Sequence, residues 1–145
     1  MSAVSEIMSS KIVTVDADSD PSVLDVVEAM VKHKEGAIII LEKRRPVGII
    51  TERDVLKKVS AQNKKPKEIS AKSIMSSPLI TVKAYDSVDT AAQAMTKNKI
   101  KRLPVVETGG SLVGMMSATD ITRRLAKILA DDYSRYRSLG DALEL

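Results

Sequence analysis

Val47-Gly48-Ile49-Ile50-Thr51-Glu52-Arg53-Asp54 reads as an apolar strand that runs into the mouth of a helix. The apolar run is short and bounded, as a buried strand is. A hydroxyl residue followed three positions later by an acid is how helices start. The same order returns as Val113-Gly114-Met115-Met116-Ser117-Ala118-Thr119-Asp120. In both copies a glycine and two large apolar residues end at a hydroxyl, with an aspartate three positions on.

The similarity extends outward from these stretches. Ile7-Met8-Ser9-Ser10, followed by Ile12-Val13-Thr14-Val15, matches Ile74-Met75-Ser76-Ser77, followed by Leu79-Ile80-Thr81-Val82, at an offset of 67 residues. Val23, Val26, Val27 and Met30 match Val88, Ala91, Ala92 and Met95 at 65, and Gly48, Thr51 and Asp54 match Gly114, Ser117 and Asp120 at 66. Small changes in offset place the insertions in loops, so the chain is a duplication.

Each half has the same predicted order: strand, helix, strand, strand, helix. In the first, these are a strand over 12–15, a helix over 22–34, a strand over 37–41, a charged turn over 42–45, a strand over 46–50 and a helix over 51–60. The first helix begins in a Ser/Asp/Pro cluster and carries Val23, Val26, Val27 and Met30 as one stripe. The second helix is expected to turn Val55, Leu56 and Val59 inward. In the second half, strands over 79–82, 102–106 and 112–116 alternate with helices over 87–98 and from 117 onward. Gly109-Gly110 makes a hairpin turn between the last two strands, and Ile121, Leu125, Ile128 and Leu129 fall on one face of the last helix. About 55 residues with three short strands bury too little surface alone. The expected fold class is therefore α/β (α+β), two β-α-β-β-α repeats packed about a pseudo-twofold axis with clefts between them. The domain reading is 1–62 first repeat, 63–72 basic linker, 73–130 second repeat and 131–145 tail.

Composition removes several functions. The chain has 145 residues, no cysteine and one histidine, which excludes disulfides, thiol nucleophiles and thiolate metal sites. The histidine, His33, falls late in a helix, where a solvated imidazole suits the helix end. With 43% hydrophobic and 29% charged residues the chain is expected to be globular. No apolar run approaches the roughly 20 residues of a membrane span, and no signal peptide is visible, so the expected location is cytoplasmic. The net charge of +4 owes much to Lys57, Lys58, Lys64, Lys65, Lys67 and Lys72. With no Phe or Trp and three Tyr, base stacking lacks its side chains, and a solvated linker is expected rather than a nucleic-acid surface. Carboxylates without a nucleophile, a usable histidine or a metal cluster point away from an enzyme.

The tandem repeat, the apolar-Gly-x-x-[Ser/Thr]-x-x-Asp signature, the paired Ile-Met-Ser-Ser segments and Lys101-Arg102-Leu103-Pro104-Val105-Val106 together resemble the CBS-domain pair, named for cystathionine β-synthase. The resemblance covers about residues 4 to 130. It implies a stand-alone regulatory or sensor module that binds adenosine-containing ligands: AMP, ADP or ATP, or sometimes S-adenosylmethionine. It also implies a homodimer formed through helical faces, acting on an unidentified protein partner. The alternative readings are a dimerisation or partner-binding module without ligand, and nucleic-acid binding.

Read alone, Thr51-x-x-Asp54 is a helix cap worth about 1 kcal/mol. A carboxylate with two acceptor oxygens is also able to hold both hydroxyls of a ribose, and the duplication with the resemblance favours that role in at least one copy. Carried over from the family, the second site is Ile80, Thr81, Arg102, Leu103, Pro104, Ser117, Thr119 and Asp120, with Lys101 beside it. The first is Val13, Thr14, Gly36, Ala37, Ile38, Thr51, Arg53 and Asp54. Lys101 and Arg102 stand where the first half has Gly36 and Ala37, whereas Arg53 stands where the second has Thr119. Those three cations are the expected phosphate readers. Met115 and Met116 are expected in the core rather than against a base. The second copy, with its Lys-Arg pair, is the stronger candidate. The tail, with Tyr133, Arg135, Tyr136, Arg137, Leu139 and Gly140, is expected either to prolong the last helix across a dimer or to fray.

Overall fold

Ser22 and Ser87 accept a hydrogen bond from the backbone N–H three residues on and start a pair of equivalent helices. Both helices end at a lysine in the left-handed conformation, Lys34 and Lys99. The computed structural model describes residues 2–132 and 141–144. In chain order the elements are α1 (Val4–Ile7), β1 (Thr14–Asp16), α2 (Val23–His33), β2 (Ala37–Glu42), β3 (Arg45–Thr51), α3 (Glu52–Lys58), α4 (Ala71–Ile74), β4 (Val82–Lys83), α5 (Val88–Asn98), β5 (Arg102–Val106), β6 (Leu112–Ser117) and α6 (Ala118–Asp132). The expected β-α-β-β-α order is present twice. Tail residues Tyr133, Arg135, Tyr136, Arg137, Leu139 and Gly140 lie outside the described residues.

Each repeat builds a three-stranded sheet, β1-β2-β3 and β4-β5-β6. The first pair in each is parallel, joined through a helix, and the second is an antiparallel hairpin. The β2–β3 turn is the predicted charged one. Lys43 and Arg44 hold it with φ of 50° and 65°, and the Asp18 carboxylate accepts the Lys43 N–H at 3.2 Å. Gly110, at φ 89°, supplies the left-handed residue of the β5–β6 turn.

The chain divides into two compact units that cut across the linear repeats. One is Ile12–Ile80; the other joins the described residues of Met1–Lys11 to those of Thr81–Leu145. Each unit has its own core. In the first, Val23, Val26, Met30, Ile38, Ile40, Ile50 and Val59 pack with Ala71 and Ile74, which come from the start of the second repeat and the residues leading into it. In the other, Ala91, Met95, Leu103, Val105 and Met116 pack with Val4, which comes from the start of the first repeat. The two Ile-Met-Ser-Ser segments thus each serve the other repeat. Ser76 exchanges backbone hydrogen bonds with Ile49 at 2.9 and 3.2 Å, and Ser9 does the same with Met115 at 2.9 and 2.8 Å. The signature glycines permit this approach. A Cβ on Gly48 would lie 2.5 Å from Met75 Sδ and 3.0 Å from the Ser76 carbonyl oxygen. On Gly114 it would lie 2.5 Å from Met8 Sδ and 2.8 Å from the Ser9 oxygen.

Three local expectations need correction. The strand over 79–82 is reduced to Val82–Lys83, paired with Val105 and Val106. Where Ile39 donates its N–H to Val13 in the first sheet, the second has Pro104, which has no N–H to extend the ladder. Helix α3 ends at Lys58, and a 3₁₀ turn, Ser60–Gln62, follows. Leu56 does not face inward; it is 61% exposed. The i, i+4 pair Val55 and Val59 takes the inward stripe, and Leu56 falls beside it. In α6 the face bearing Leu125 and Ile128 is exposed as well.

Candidate functional site

Both signature aspartates sit where a strand turns into a helix, at the third helical residue. In the first corner Thr51 is the N-cap. Its backbone N–H and its hydroxyl both donate to Asp54 Oδ2, at 2.9 and 3.2 Å. The Asp54 N–H reaches back to Thr51 Oγ1 at 3.4 Å, which closes a capping box. The other carboxylate oxygen, Oδ1, lies 3.3 Å from Lys58 Nζ. Lys58 also donates to the Ile74 carbonyl at 2.8 Å.

Around this corner the predicted residues fall on adjoining elements. Ala37 faces Thr51 and Ile38 faces Ile50 in the β2–β3 register. The Gly36 carbonyl accepts the Glu52 N–H at 3.0 Å, tying the start of α3 to the start of β2. Val13 accepts the Ile39 N–H at 3.0 Å, and Thr14 pairs with Ile39. Arg53 and Thr14 are exposed, Val13 and Gly36 half-buried, and Ala37 and Ile38 buried.

The second corner repeats the frame with fewer bonds on the carboxylate. Ser117 N–H donates to Asp120 Oδ2 at 2.8 Å, and Asp120 N–H donates to Ser117 Oγ at 3.1 Å. Asp120 Oδ1 has Arg123 at 3.7 Å, an ion-pair contact beyond hydrogen-bond reach. The Lys101 carbonyl accepts the Ala118 N–H at 2.9 Å. Arg102 stands across the ladder from Ser117, Leu103 from Met116 and Pro104 from Met115. Thr81 immediately precedes β4, and Ile80 is the last residue of the Ile12–Ile80 unit. Ile80, Thr81, Lys101, Arg102 and Thr119 are exposed. Leu103 and Pro104 are buried and support the corner from beneath. Met116 is a core residue.

The capping geometry is therefore real in both copies, and it occupies one oxygen of each carboxylate. Beyond the caps each carboxylate has a second oxygen, met by Lys58 at Asp54 and approached more loosely by Arg123 at Asp120. With exposed cations nearby, the setting suits a ligand with hydroxyls and an anionic group. Sequence reasoning named the corner residues but missed Lys58, counting it with the basic run. Its signal was the Asp-to-Lys i, i+4 spacing on a helix. Another member of that run is engaged: Lys72 Nζ lies 2.6 Å from Glu42 Oε1, and that carboxylate holds the ammonium above its usual range. Among the described residues no group of three or more His, Cys, Asp or Glu is placed to hold a metal ion. Among them, too, no helix is long and apolar enough to cross a membrane.

Beyond the corners, the uncovered side of α2 and α3 forms an open groove of about 620 Å³, lined by Val27, Met30, Val31, Lys34, Glu35, Glu52, Val55 and Leu56. Val31 is 74% exposed.

Comparison with known proteins agrees with this architecture. The chain is 41% identical over 99 residues to an uncharacterized protein of Methanopyrus kandleri, covering 68% of this chain. It spans 50% of that protein's length and 63% of the length of the next curated relative. Among solved structures, a CBS domain protein from Pyrobaculum aerophilum complexed with AMP superposes with a TM-score of 0.74 and 28% identity, over 82% of this chain and 89% of that one. The CBS domain pair of protein MJ0100, in complex with 5′-methylthioadenosine and S-adenosyl-L-methionine, has a TM-score of 0.77 and 30% identity, over 88% of this chain and 98% of that one. The CBS domain model matches residues 4–61 and again 71–127. The chain belongs to the CBS domain family, as a tandem pair.

Proposed function

We propose that this CBS pair is a regulatory module that binds an adenosine-containing ligand, AMP, ADP or ATP, and does no chemistry on it. The observation that carries the reading is the second corner. Asp120 keeps Oδ1 outside its capping bonds, and Arg102 stands opposite Ser117 on the neighbouring strand. Asp120 then accepts the ribose hydroxyls, Ser117 and Thr119 line the sugar, and Lys101 and Arg102 take the phosphate. Thr81 and Ile80 border the base, with Leu103 and Pro104 as the floor. The first corner offers Thr14, Arg53 and Asp54 on the same plan, with Val13, Gly36, Ala37, Ile38 and Thr51 around them. Solved pairs with AMP and with 5′-methylthioadenosine and S-adenosyl-L-methionine support an adenosine ligand, and keep S-adenosylmethionine among the compounds to test. The proposed setting is a cytoplasmic homodimer whose ligand alters contact with a protein partner.

Calorimetric titration with AMP, ADP, ATP and S-adenosylmethionine tests this. At least one should bind, and Asp120→Ala should weaken it by about tenfold or more, the worth of one or two charge-assisted hydrogen bonds. Stability should fall by only about 1 kcal/mol, a cap's worth. Binding that survives intact makes Asp120 a capping residue and nothing more. Absence of heat and thermal shift with all four compounds would favour the second reading, a partner-binding module. The uncovered apolar groove on α2 and α3 is what supports that alternative.

A further inference from the structure

The two corners differ in what already occupies the carboxylate. Asp54 Oδ2 accepts two hydrogen bonds, from Thr51 N–H and Thr51 Oγ1, and Oδ1 is held by Lys58 at 3.3 Å. Asp120 Oδ2 accepts one, from Ser117 N–H, and its Oδ1 has only the 3.7 Å contact to Arg123. Each carboxylate oxygen accepts about two hydrogen bonds. A ribose presenting two hydroxyls at Asp54 must therefore displace at least one existing donor, whereas at Asp120 it need displace none within hydrogen-bond distance.

Lys58 is also anchored at a second point. Its ammonium donates to the Ile74 carbonyl at 2.8 Å. That carbonyl belongs to the last residue of α4, where carbonyls lack helical partners and favour a cation. Ile74 is itself buried in the same core, so its carbonyl is fixed in place. Moving Lys58 off Asp54 unfastens one ion pair and invites loss of a hydrogen bond to a fixed acceptor. The equivalent position in the second repeat is Arg124, but the cation near Asp120 is Arg123, one residue earlier and farther away.

We infer that Lys58 is a latch: it holds Asp54 against the α4 carbonyl and closes the first corner to ribose. One adenosine ligand then binds per chain, at the Asp120 corner. This inference rests on the nucleotide reading and assigns Lys58 a specificity-determining role within it. It also gives the start of the second repeat a say in the first site, because the far end of the latch is Ile74.

Titration of the full chain with AMP tests this, beside Lys58→Met and, as a second variant, Lys58→Gln. Circular dichroism verifies that each is folded. The unaltered chain should take up one AMP, and both variants should gain a second binding event at least about tenfold tighter than any residual first-corner binding in the unaltered chain. Two equivalent sites in the unaltered chain overturn the latch while leaving the nucleotide reading intact. So do folded variants that still take up a single AMP. If neither chain nor variants bind AMP or any other adenosine compound, the nucleotide reading falls and takes the latch with it.

Discussion

Asp54 and Asp120 hold the same helical position, and each caps the helix it belongs to, yet their free sides face different company. Asp54 meets an ammonium that is itself tied to the backbone of α4. Asp120 meets only a loose guanidinium and has Lys101 and Arg102 at the neighbouring strand start. Duplication has kept what folding needs, the strand, the N-cap and the acid at the third position. The cations around that frame have moved. In the first repeat Lys58 is engaged by the carboxylate; in the second Lys101 and Arg102 stand exposed beside it.

The largest test of this comparison concerns the exchanged segments, since the latch ends on one of them. Ile74 belongs by sequence to the start of the second repeat but is buried in the core of the Ile12–Ile80 unit. Ile74→Ala should destabilise by about 2–5 kcal/mol, as removal of a buried Ile side chain does. Hydrogen exchange should lose protection first in β2 and β3 rather than in β5 and β6. Val4→Ala should produce the reverse pattern, because Val4 packs with β5 and β6. Were Ile74→Ala to loosen β5 and β6 first, the exchange of segments between the repeats would be wrong.

Most of the frame was legible because it is written in periodicity and caps. The stripe Val23, Val26, Met30 and the start at Ser22 fix α2 by local rules, and the structure adds only a residue of precision. The signature corners were legible for the same reason: Thr51 and Asp54 interact over three residues, which sequence spacing reports directly. What sequence could not show were contacts between distant residues. Nothing in Ile-Met-Ser-Ser says which repeat it will join; that depends on the approach of Ser76 to Ile49 and Ser9 to Met115. Gly48 and Gly114 were the available clue, since a recurring glycine inside an apolar strand marks close passage of another backbone. Leu56 was misplaced because an inward stripe on a two-turn helix has room for Val55 and Val59 only. Lys58 was lost in a basic run whose other members stay exposed.

A middle-sized effect is expected at those glycines. Gly114→Ala places a methyl 2.5 Å from Met8 Sδ and 2.8 Å from the Ser9 carbonyl, and a backbone oxygen cannot swing aside as a thioether does. The expected cost is about 1–3 kcal/mol by urea denaturation, the range for overpacking. Gly48→Ala should cost somewhat less, because the Ser76 oxygen is at 3.0 Å. Gly109, where nothing lies within 4 Å of an added Cβ, is the control and should change stability little when made Ala. Equal effects at all three positions would remove the close approach as the reason for the repeated glycine.

The smallest effect discriminates the two corners most directly. Thr51→Ala and Ser117→Ala each delete an N-cap acceptor, for which about 1 kcal/mol is expected. Thr51 also donates its hydroxyl to Asp54 Oδ2, a bond Ser117 does not make to Asp120. Its helix is also shorter, Glu52–Lys58 against Ala118–Asp132, so fewer downstream turns sustain it once the cap is gone. Thr51→Ala should therefore be the costlier by a few tenths of a kcal/mol to about 1 kcal/mol. In the presence of saturating ligand the order should invert, because Ser117→Ala also touches the corner proposed to hold it and forfeits part of the ligand's stabilisation. Paired melting curves with and without AMP read both differences at once. An order that does not change with ligand would mean that the Ser117 corner holds no nucleotide, however open its carboxylate is.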